Sequence, residues 1–467
     1  MKRHAPLVLA LLSIGCAGGD RPVPQEQSST ASERPNLLFI ITDDQRFDML
    51  GDLHPFLETP NMDRLAAEGL RFKNAFVTTP ICAASRASLL TGLVERTHGY
   101  TFATPPLADR FVDQSYPVLL REAGYRTGFV GKFGVNTQEG AVAKMFDVYE
   151  PLMAPYLREQ EDGSTRHLTD INADRAVEFL RSADQANPFA LTLSFNAPHA
   201  EDSNERQYIW PEAMDGMYAD VAIPAPPLSE PAFFEALPEF LKEPSLNRVR
   251  WYWRFDTPEK ARDMTRGHLR MITGVDAAIG RVLAELESLE LASNTVVILM
   301  GDNGYFLGER GYAGKWLPHE LSIHVPLIVF DPRIQEGSRG VVPVQTVLNI
   351  DIAPTLLDLA GVDVPSTMQG TSLVPIFGGE LPAEWRSDFF VEHLFDHPRI
   401  PKHEGVRGER YKYARYFEQE PLYEELYDLL VDPLETRNLA GDPDHFEILS
   451  ELRRRTDELQ AEYESAR

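Results

Sequence analysis

The sequence predicts an α/β protein with a large, mostly parallel sheet flanked by helices, and a smaller C-terminal antiparallel sheet plus helix. Short apolar strands alternate with amphipathic helical stretches over about 330 residues, which is typical of a parallel sheet with crossover helices. Short strands without intervening helices then follow near the C-terminus. With 467 residues, 43% of them hydrophobic, the chain can bury a large core in two unequal parts.

The first residues have the features of an export signal. Met1–Arg3 is basic, and Ala5–Gly15 is an apolar run of eleven residues, too short to span a bilayer but suited to a signal peptide. The run ends directly before Cys16 in a pattern that resembles a bacterial lipobox, although an ordinary signal peptide with an incidental cysteine is the alternative. We predict a signal peptide over residues 1–15 and a polar lipoprotein tether over residues 16–33. The protein is then exported to the periplasm or cell surface, with the membrane contacted only through a lipid on Cys16.

The charge and the cysteine content of the chain limit the classes of partner and the disulfides that it can have. Lys and Arg number 45 against 71 Asp and Glu, a formal charge of −26. This balance argues against nucleic acid as a partner, and a polyanion would need local basic patches to bind. The chain has two cysteines, Cys16 and Cys82, so no internal disulfide framework is expected. Cys82 is then an unpaired thiol, for which burial in the core is the ordinary explanation.

The elements are predicted in chain order. The five strands expected in the large sheet are Asn36–Thr42, Gly124–Gly131, Pro188–Phe195, Asn294–Met300 and Val325–Phe330. A helix over residues 59–70 has Thr59 as its N-cap and Pro60 at its first position, and residues 174–183 and 275–289 also have helical spacing. Short strands at 387–393, 405–417 and 425–430 and a helix over 444–464 complete the chain. We place a large domain at residues 34–380 and a C-terminal subdomain at residues 381–467.

Polar residues follow four of the predicted strands, each within four residues of the strand's end. They are Asp43 and Asp44 after the first, Lys132 after the second, His199 after the third, and Asp302 and Asn303 after the fourth. Ligands of open α/β sheets bind beyond the carboxyl ends of the strands, so we expect these side chains at one edge. The Asp-Asp and Asp-Asn pairs offer only oxygen, which suits Ca²⁺ or Mg²⁺ better than zinc. Either pair alone would be weak evidence, because such residues also cap helices and form turns.

Cys82 begins a segment with a recognisable pattern. The stretch "CAASRASLLTG" resembles the signature of the type I, formylglycine-dependent sulfatases of the alkaline phosphatase-like superfamily. The resemblance continues in family order through "PNLLFIITDDQR", "TPNMDRLAAEGLRFKNAFVT", "GKFG", "NAPH", "GDNG", "AGKW" and "ELYDLLVDPLETRNLA", and so covers about residues 34–441. Three positions depart from it: Ala84, where many relatives have proline, Gly134, where a second histidine is frequent, and His324, where arginine is common.

The resemblance implies an enzyme that hydrolyses a sulfate ester with a divalent cation, Ca²⁺ in preference to Mg²⁺. A separate maturation enzyme would oxidise Cys82 to formylglycine, whose hydrate is the nucleophile and expels the sulfate by collapsing to the aldehyde. The implied metal ligands are Asp43, Asp44, Cys82, Asp302 and Asn303. The implied catalytic residues are Cys82, Arg86 to fix the diol, Lys132 and Lys315 to clamp sulfate oxygens, and His199 to protonate the leaving alcohol. Taken singly, each of the latter four has an ordinary structural or surface alternative.

The substrate is predicted only by class. Export suggests an external sulfated molecule, and we expect a sulfated carbohydrate. The segment Asn247–Asp256 interleaves three arginines with Trp251, Tyr252 and Trp253, which would suit a sugar-stacking, anion-binding subsite or a place in the core. Three other interpretations stay open: a phosphodiesterase or phosphonate hydrolase of the same superfamily, a non-catalytic sugar-binding lipoprotein, and a sulfatase whose Cys82 remains a thiol.

Overall fold

The computed structural model describes residues 34–183, 187–379 and 385–467. The predicted signal peptide, the predicted tether and Cys16 lie outside the described residues, and so does the predicted domain boundary near residue 381. Residues Arg34–Arg467 form one compact unit. Within the described ranges, no helix is both long enough and apolar enough to cross a membrane.

The strands of the described residues are numbered in chain order. They are β1 (Asn36–Asp43), β2 (Leu70–Arg71), β3 (Asn74–Phe76), β4 (Arg126–Gly131), β5 (Val148–Pro151), β6 (Leu157–Glu159), β7 (Thr165–His167), β8 (Phe189–Pro198), β9 (Thr295–Gly301), β10 (Phe306–Leu307), β11 (Ala313–Gly314), β12 (Leu327–Phe330), β13 (Thr346–Leu348), β14 (Asp388–His393), β15 (His403–Gly408), β16 (Tyr411–Tyr416) and β17 (Tyr423–Asp428). All five strands predicted for the large sheet are present, with bounds shifted by up to three residues.

The helices are numbered in the same way, leaving aside single 3₁₀ turns. They are α1 (Pro60–Glu68), α2 (Cys82–Thr91), α3 (Glu95–His98), α4 (Asp109–Val112), α5 (Tyr116–Glu122), α6 (Ala141–Met145), α7 (Leu168–Arg181), α8 (Pro231–Glu235), α9 (Leu246–Arg254), α10 (Pro258–Ser288), α11 (Glu320–Ile323), α12 (Ile352–Leu359), α13 (Val374–Phe377) and α14 (Phe446–Ser465). The helix α1 starts as predicted, with Thr59 preceding it and Pro60 at its first position.

Seven strands form the large sheet, in the order β2-β12-β9-β1-β8-β4-β5. The central strand β1 is parallel to both neighbours, β8 and β9, and β4 is parallel to β8 and β5. The strand β12 runs antiparallel to β9 and β2. The sheet is therefore mixed but mostly parallel, which confirms the predicted fold class.

Helices cover both faces of this sheet. Along β1, Leu37, Phe39 and Ile41 join an apolar core with residues of α2, α5 and α12. Leu38 and Ile40 point into a second core, built with residues of α1, α7 and α10. Both faces of β1 are therefore buried, which explains why its sequence is a continuous apolar run without alternation.

A smaller antiparallel sheet, β14-β15-β16-β17, confirms the predicted C-terminal architecture. The helix α14 packs on it through Leu449, Leu452 and Leu459. Buried ion pairs connect it to the rest of the unit: Arg96 of α3 donates from Nε to Glu392 of β14 at 2.9 Å, and from Nη2 to Glu404 of β15 at 2.6 Å.

Candidate active site

Three carboxylates meet at the carboxyl end of the large sheet. Asp43 is the last residue of β1, and Asp302 directly follows the neighbouring strand β9. Asp44 adopts a left-handed backbone conformation with φ 67°, which is costly for a residue other than glycine. Its backbone N–H donates to Oδ1 of Asp302 at 3.2 Å, and this contact helps to hold the conformation.

Cys82 and Arg86 approach these carboxylates from α2. Cys82 is the first residue of the helix and is 7% exposed, so the buried thiol lies at the positive end of the helix dipole. Sγ of Cys82 and carboxylate oxygens of Asp43 and Asp302 lie within 4.8 Å of one another. One turn further along, Nε of Arg86 donates to Oδ2 of Asp302 at 2.7 Å. Nη1 of Arg86 donates to Oγ of Ser194 at 2.6 Å and also to the Lys132 carbonyl.

Two buried lysines complete the charge balance. The Lys132 ammonium, beyond β4, hydrogen-bonds to Oδ2 of Asp43, and the Lys315 ammonium hydrogen-bonds to Oδ1 of Asp44. Lys315 also lies 3.9 Å from Oδ1 of Asp43. Arg86 pairs with Asp302 in the same region. Three buried carboxylates are therefore each paired with one buried cationic side chain.

The ionisation of the carboxylates reflects this pairing. Burial alone would raise the pKa of Asp43, but Lys132, followed by His199, Lys315 and Arg86, holds that pKa well below its usual range. Burial and the nearby Asp43 charge raise the pKa of Asp302 to about 6. The two carboxylates thus differ because the cations are shared unequally between them.

His199 follows β8 and faces the same cluster. Its Nδ1 lies 2.6 Å from the Ala200 carbonyl, an acceptor, so this nitrogen carries the proton of the neutral imidazole. Its Nε2 lies 3.6 Å from Oδ2 of Asp44. Burial lowers the pKa of His199 to about 4, although the charges of Asp44 and Asp43 oppose that shift.

The oxygen donors of this cluster fit a hard divalent cation. Within the described part of the chain, Oδ1 of Asp43, Oδ2 of Asp44 and Oδ1 of Asn303 are buried and accept no hydrogen bond. The Asn303 amide is oriented by its own Nδ2, which donates to Oδ1 of Asp44 at 2.6 Å. Buried oxygens without donors are costly unless a cation satisfies them, so Asp43, Asp44, Asp302 and Asn303 could hold one, with Cys82 beside them.

The structure also brings in residues that the sequence did not single out. Ser194 of β8 accepts from Arg86 and donates to the Lys132 carbonyl at 2.8 Å, so it joins α2 to β4. Asp202, three residues after His199, forms ion pairs with Arg250 and Arg254. These contacts could not be predicted from the sequence, because Ser194 is a single serine in an apolar strand and Asp202 is a single aspartate in a loop.

The segment Asn247–Asp256 lies mostly in α9. The Arg250 guanidinium lies 4.8 Å from the Trp316 ring, and Trp316 directly follows Lys315 in the chain. Arg254 is fully buried, whereas Tyr252 and Trp253 are 42% and 41% exposed. The segment is therefore neither wholly core nor wholly surface, and its role as a sugar subsite stays a prediction.

Two of the departures from the sulfatase pattern have clear structural settings. Ala84 is the third residue of α2, where the backbone N–H has no intrahelical acceptor, so alanine and proline are interchangeable there without loss of a hydrogen bond. His324 stacks on Phe47 with ring centroids 4.0 Å apart, and its Nε2 lies 2.9 Å from the Lys73 carbonyl. An aromatic stack, and not the carboxylate cluster, thus holds His324.

Gly134 is explained by its closeness to Arg86. It has φ 71°, and a Cβ added there would lie 2.9 Å from Cδ of Arg86. A histidine at this position, as in many relatives of the predicted family, would have to displace the Arg86 side chain from its present path.

Two family models match this chain. The family model named Sulfatase matches residues 35–362, and the one named N-sulphoglucosamine sulphohydrolase, C-terminal, matches residues 308–462. An N-acetylglucosamine-6-O-sulfatase of Bacteroides thetaiotaomicron is 28% identical over an alignment covering 98% of this chain and 91% of the relative.

Solved structures give the same fold. A protein in complex with its substrate D-glucosamine-2-N,6-O-disulfate superposes with a TM-score of 0.79 at 27% identity, covering 93% of this chain and 99% of that one. A phosphonate monoester hydrolase from Silicibacter pomeroyi superposes with a TM-score of 0.78 at 24% identity, covering 92% and 96%. The second likeness is one of fold alone.

We expect Gly134→Ala to lower kcat/KM on a nitrophenyl sulfate by about tenfold or more, because the new methyl group displaces Arg86 from Asp302. Gly140→Ala is the matched control, since Gly140 has φ 82° and no atom within 4 Å of an added Cβ. Both variants carry the left-handed cost of about 1–2 kcal/mol, and the thermal midpoint of Gly134→Ala should fall further because Arg86 is also displaced from the buried Asp302 carboxylate. Equal kcat/KM values in the two variants would contradict this role of Gly134.

Proposed function

Because the chain belongs to the sulfatase family and is a sulfuric ester hydrolase, we propose that it removes a sulfate group from a carbohydrate through a formylglycine made from Cys82. We propose further that a divalent cation, Ca²⁺ in preference to Mg²⁺, binds at Asp43, Asp44, Asp302 and Asn303, with residue 82 as a further ligand. The observation that carries the proposal is the position of Cys82: a buried thiol at a helix start, within 4.8 Å of two buried carboxylates.

The matured residue would supply a geminal diol as the oxygen nucleophile and metal ligand, and the cation would polarise a sulfate oxygen. The chain's own residues then have distinct tasks. Arg86, fixed by Asp302 and Ser194, orients residue 82 from one helical turn away. Lys132 and Lys315 are the ammonium groups placed to hold sulfate oxygens, and both are buried, where charge is most effective.

The leaving group needs a proton. A sugar alkoxide is a poor leaving group, so a donor must act in the transition state. Nδ1–H of His199 donates to the Ala200 carbonyl, which leaves Nε2 as the nitrogen that faces the cluster. Because burial lowers the pKa of His199 to about 4, Nε2 must first take up a proton from water, which a bound anionic ester would favour, before it can give that proton to the alkoxide. Lys315, buried beside Asp44, is the alternative donor.

A carbohydrate is the substrate class that the relatives support, since one is an N-acetylglucosamine-6-O-sulfatase and one was solved with a disulfated glucosamine. In this chain, Asp202 pairs with Arg250, whose guanidinium lies against the Trp316 ring, and both could contact the sugar beyond the ester. The export signal predicted for residues 1–15 and the lipid predicted on Cys16 would place the enzyme outside the cytoplasm, where sulfated polysaccharides are found.

We expect Cys82→Ser to reduce multiple-turnover hydrolysis of a nitrophenyl sulfate by at least about 10³-fold in a host that matures only cysteine. Serine can form a sulfate ester but has no second hydroxyl to expel the sulfate. Mass spectrometry of the tryptic peptide containing residue 82 should show an aldehyde in the wild type and an unmodified hydroxyl in the variant. Wild-type turnover by the serine variant, with its thermal midpoint unchanged, would refute the formylglycine mechanism.

Removal of the cation should lower both turnover and the thermal midpoint, and added Ca²⁺ should restore both. A ligand present at one hundred times its Kd stabilises the folded state by about 2.7 kcal/mol, which sets the scale of the shift. Asp44→Asn should lower the metal content of the purified protein, measured by elemental analysis. Asp276→Asn is the control, because Asp276 is a buried carboxylate that accepts from Asn61 and Met62 instead. Full metal content in the Asp44 variant would exclude the proposed site.

His199→Ala should depress kcat/KM on a carbohydrate sulfate by about 10²–10⁴-fold and change an activated aryl sulfate far less. A nitrophenolate leaves almost unaided, so it reports binding and nucleophile activation without proton delivery. His324→Ala, a change at a histidine in an aromatic stack, controls for general destabilisation. Equal losses on both substrates would mean that His199 binds sulfate or supports the fold, and would assign the proton to Lys315.

A further inference from the structure

A cavity of ≈ 400 Å³, lined by none of the predicted site residues, has a strongly basic wall. Arg206, Trp210, Arg266 and Arg270 line it, together with Asp263 and Met264. The first four residues are called here the arginine cleft. Arg266 and Arg270 lie four residues apart on α10, so they project from the same face of the helix.

Trp210 arranges two of the arginines. The guanidinium carbon of Arg206 lies 4.7 Å from the Trp210 ring centroid, and that of Arg270 lies 4.6 Å from it. The indole N–H donates to Oδ1 of Asp215 at 2.7 Å, which fixes the ring. Stacking on a fixed aromatic ring pre-orders both guanidinium groups and leaves their N–H edges available.

These N–H groups are only partly used. Arg266 donates to the Tyr218 carbonyl at 2.9 Å and to Asp263 at 2.9 Å. Arg270 donates from Nε to the Met217 carbonyl at 2.8 Å, which leaves both of its Nη groups free of any protein acceptor in the described residues. Over the same described residues, the ion pair of the cleft is that of Arg266 with Asp263, and neither Arg206 nor Arg270 forms one.

This lack of carboxylate partners is informative in a chain with 71 acidic and 45 basic residues. Acidic side chains are abundant, yet the two guanidinium groups that lie against Trp210 line a cavity and form no ion pair in the described residues. Burial and the charge of Arg266 lower the pKa of Arg270, although the charges of Asp215 and Asp263 oppose that shift. An anion bound in the cleft would relieve the repulsion between Arg266 and Arg270.

We propose that the arginine cleft binds a sulfate group of a saccharide, as a second binding site separate from the candidate active site. Guanidinium groups present paired N–H donors that match the oxygens of a sulfate or phosphate. A polyanion can approach a chain of charge −26 only where basic groups are concentrated, and the cleft provides such a concentration. That the anion is carried by a saccharide rests on the proposed function of the enzyme.

The cleft is connected to the candidate active site through one chain segment. Residues 199–210 run from His199 to Trp210, and this segment packs closely on α10. A Cβ added at Gly267 of α10 would lie 3.0 Å from Cβ of Tyr208 and 3.2 Å from Cζ3 of Trp210. A saccharide long enough to reach both sites would, once held at the cleft by one sulfate group, have a raised effective concentration at the active site.

The test is a binding measurement on the full chain carrying Cys82→Ser, so that hydrolysis does not consume the ligand. The probes are a heparin-derived oligosaccharide, its desulfated counterpart and inorganic sulfate. The double variant R206A/R270A is compared with R175A/R262A, which removes the same charge from exposed ion pairs with Glu178 and Glu259.

We expect R206A/R270A to weaken oligosaccharide binding by about tenfold or more and to reduce its dependence on salt. The control pair should bind within about twofold of the parent protein, and the desulfated probe should bind to neither. Unchanged affinity in R206A/R270A would overturn the proposal. So would a cleft that binds inorganic sulfate but gives no advantage to the sulfated oligosaccharide.

Failure of this inference can be told from failure of the proposed function. Turnover of a nitrophenyl sulfate by wild-type protein tests the function alone, since that small ester does not reach both sites. Turnover without cleft-dependent binding would refute only the proposal of a second site. Cleft-dependent binding without turnover would refute the proposed sulfatase mechanism and still support the second binding site.

Discussion

The candidate site depends on the two hydrogen bonds that the Asp302 carboxylate accepts. One of its oxygens accepts from Arg86 at 2.7 Å, and the other accepts from the backbone N–H of Asp44 at 3.2 Å. The first contact fixes α2, and therefore Cys82, against the sheet, while the second holds Asp44 in its left-handed conformation. Asp302 is fully buried, and a buried carboxylate without such partners would be strongly destabilising. Arg86 and the backbone N–H of Asp44 therefore have to be in place together. The same holds for Cys82 on α2 and for the Asp44 carboxylate.

The sheet makes this convergence possible. The parallel strands β1, β4, β8 and β9 end at the same edge, which brings together residues that are up to about 270 positions apart in the sequence. The close approach leaves little room: Gly134 has to lack a side chain because Arg86 passes beside it. Ser194 uses its small hydroxyl group to join Arg86 to the carbonyl of Lys132 within the same layer. The site is thus as tightly packed as the core that supports it.

The fold could be read from the sequence where burial leaves a simple pattern. The apolar runs of β1, β8 and β9 are buried on both faces, and polar residues at their ends were expected at one edge. The direction of β12 could not be predicted, because an apolar run has no polarity of its own. The helix α10 extends over 31 residues, but only 275–289 showed clear apolar periodicity, because charged and polar residues interrupt the pattern in its first half even though Gly267, His268 and Leu269 are buried there. Contacts such as Asp202 with Arg254 depend on tertiary structure alone, and the chemistry of Cys82 was predicted only through family resemblance.

Local charge, not net charge, decides what this protein can bind. The chain carries a formal charge of −26, yet the three buried carboxylates of the site are balanced by Arg86, Lys132 and Lys315. A divalent cation added to a balanced cluster leaves an excess of positive charge, which favours an anionic ester over a neutral one. Because the cluster is closed to solvent, that excess acts at low dielectric and is screened little by salt, whereas the acidic surface is screened within about 10 Å at 0.1 M ionic strength. An acidic exterior and an anionic substrate are therefore compatible, provided that the cations face inward at the point where the substrate binds.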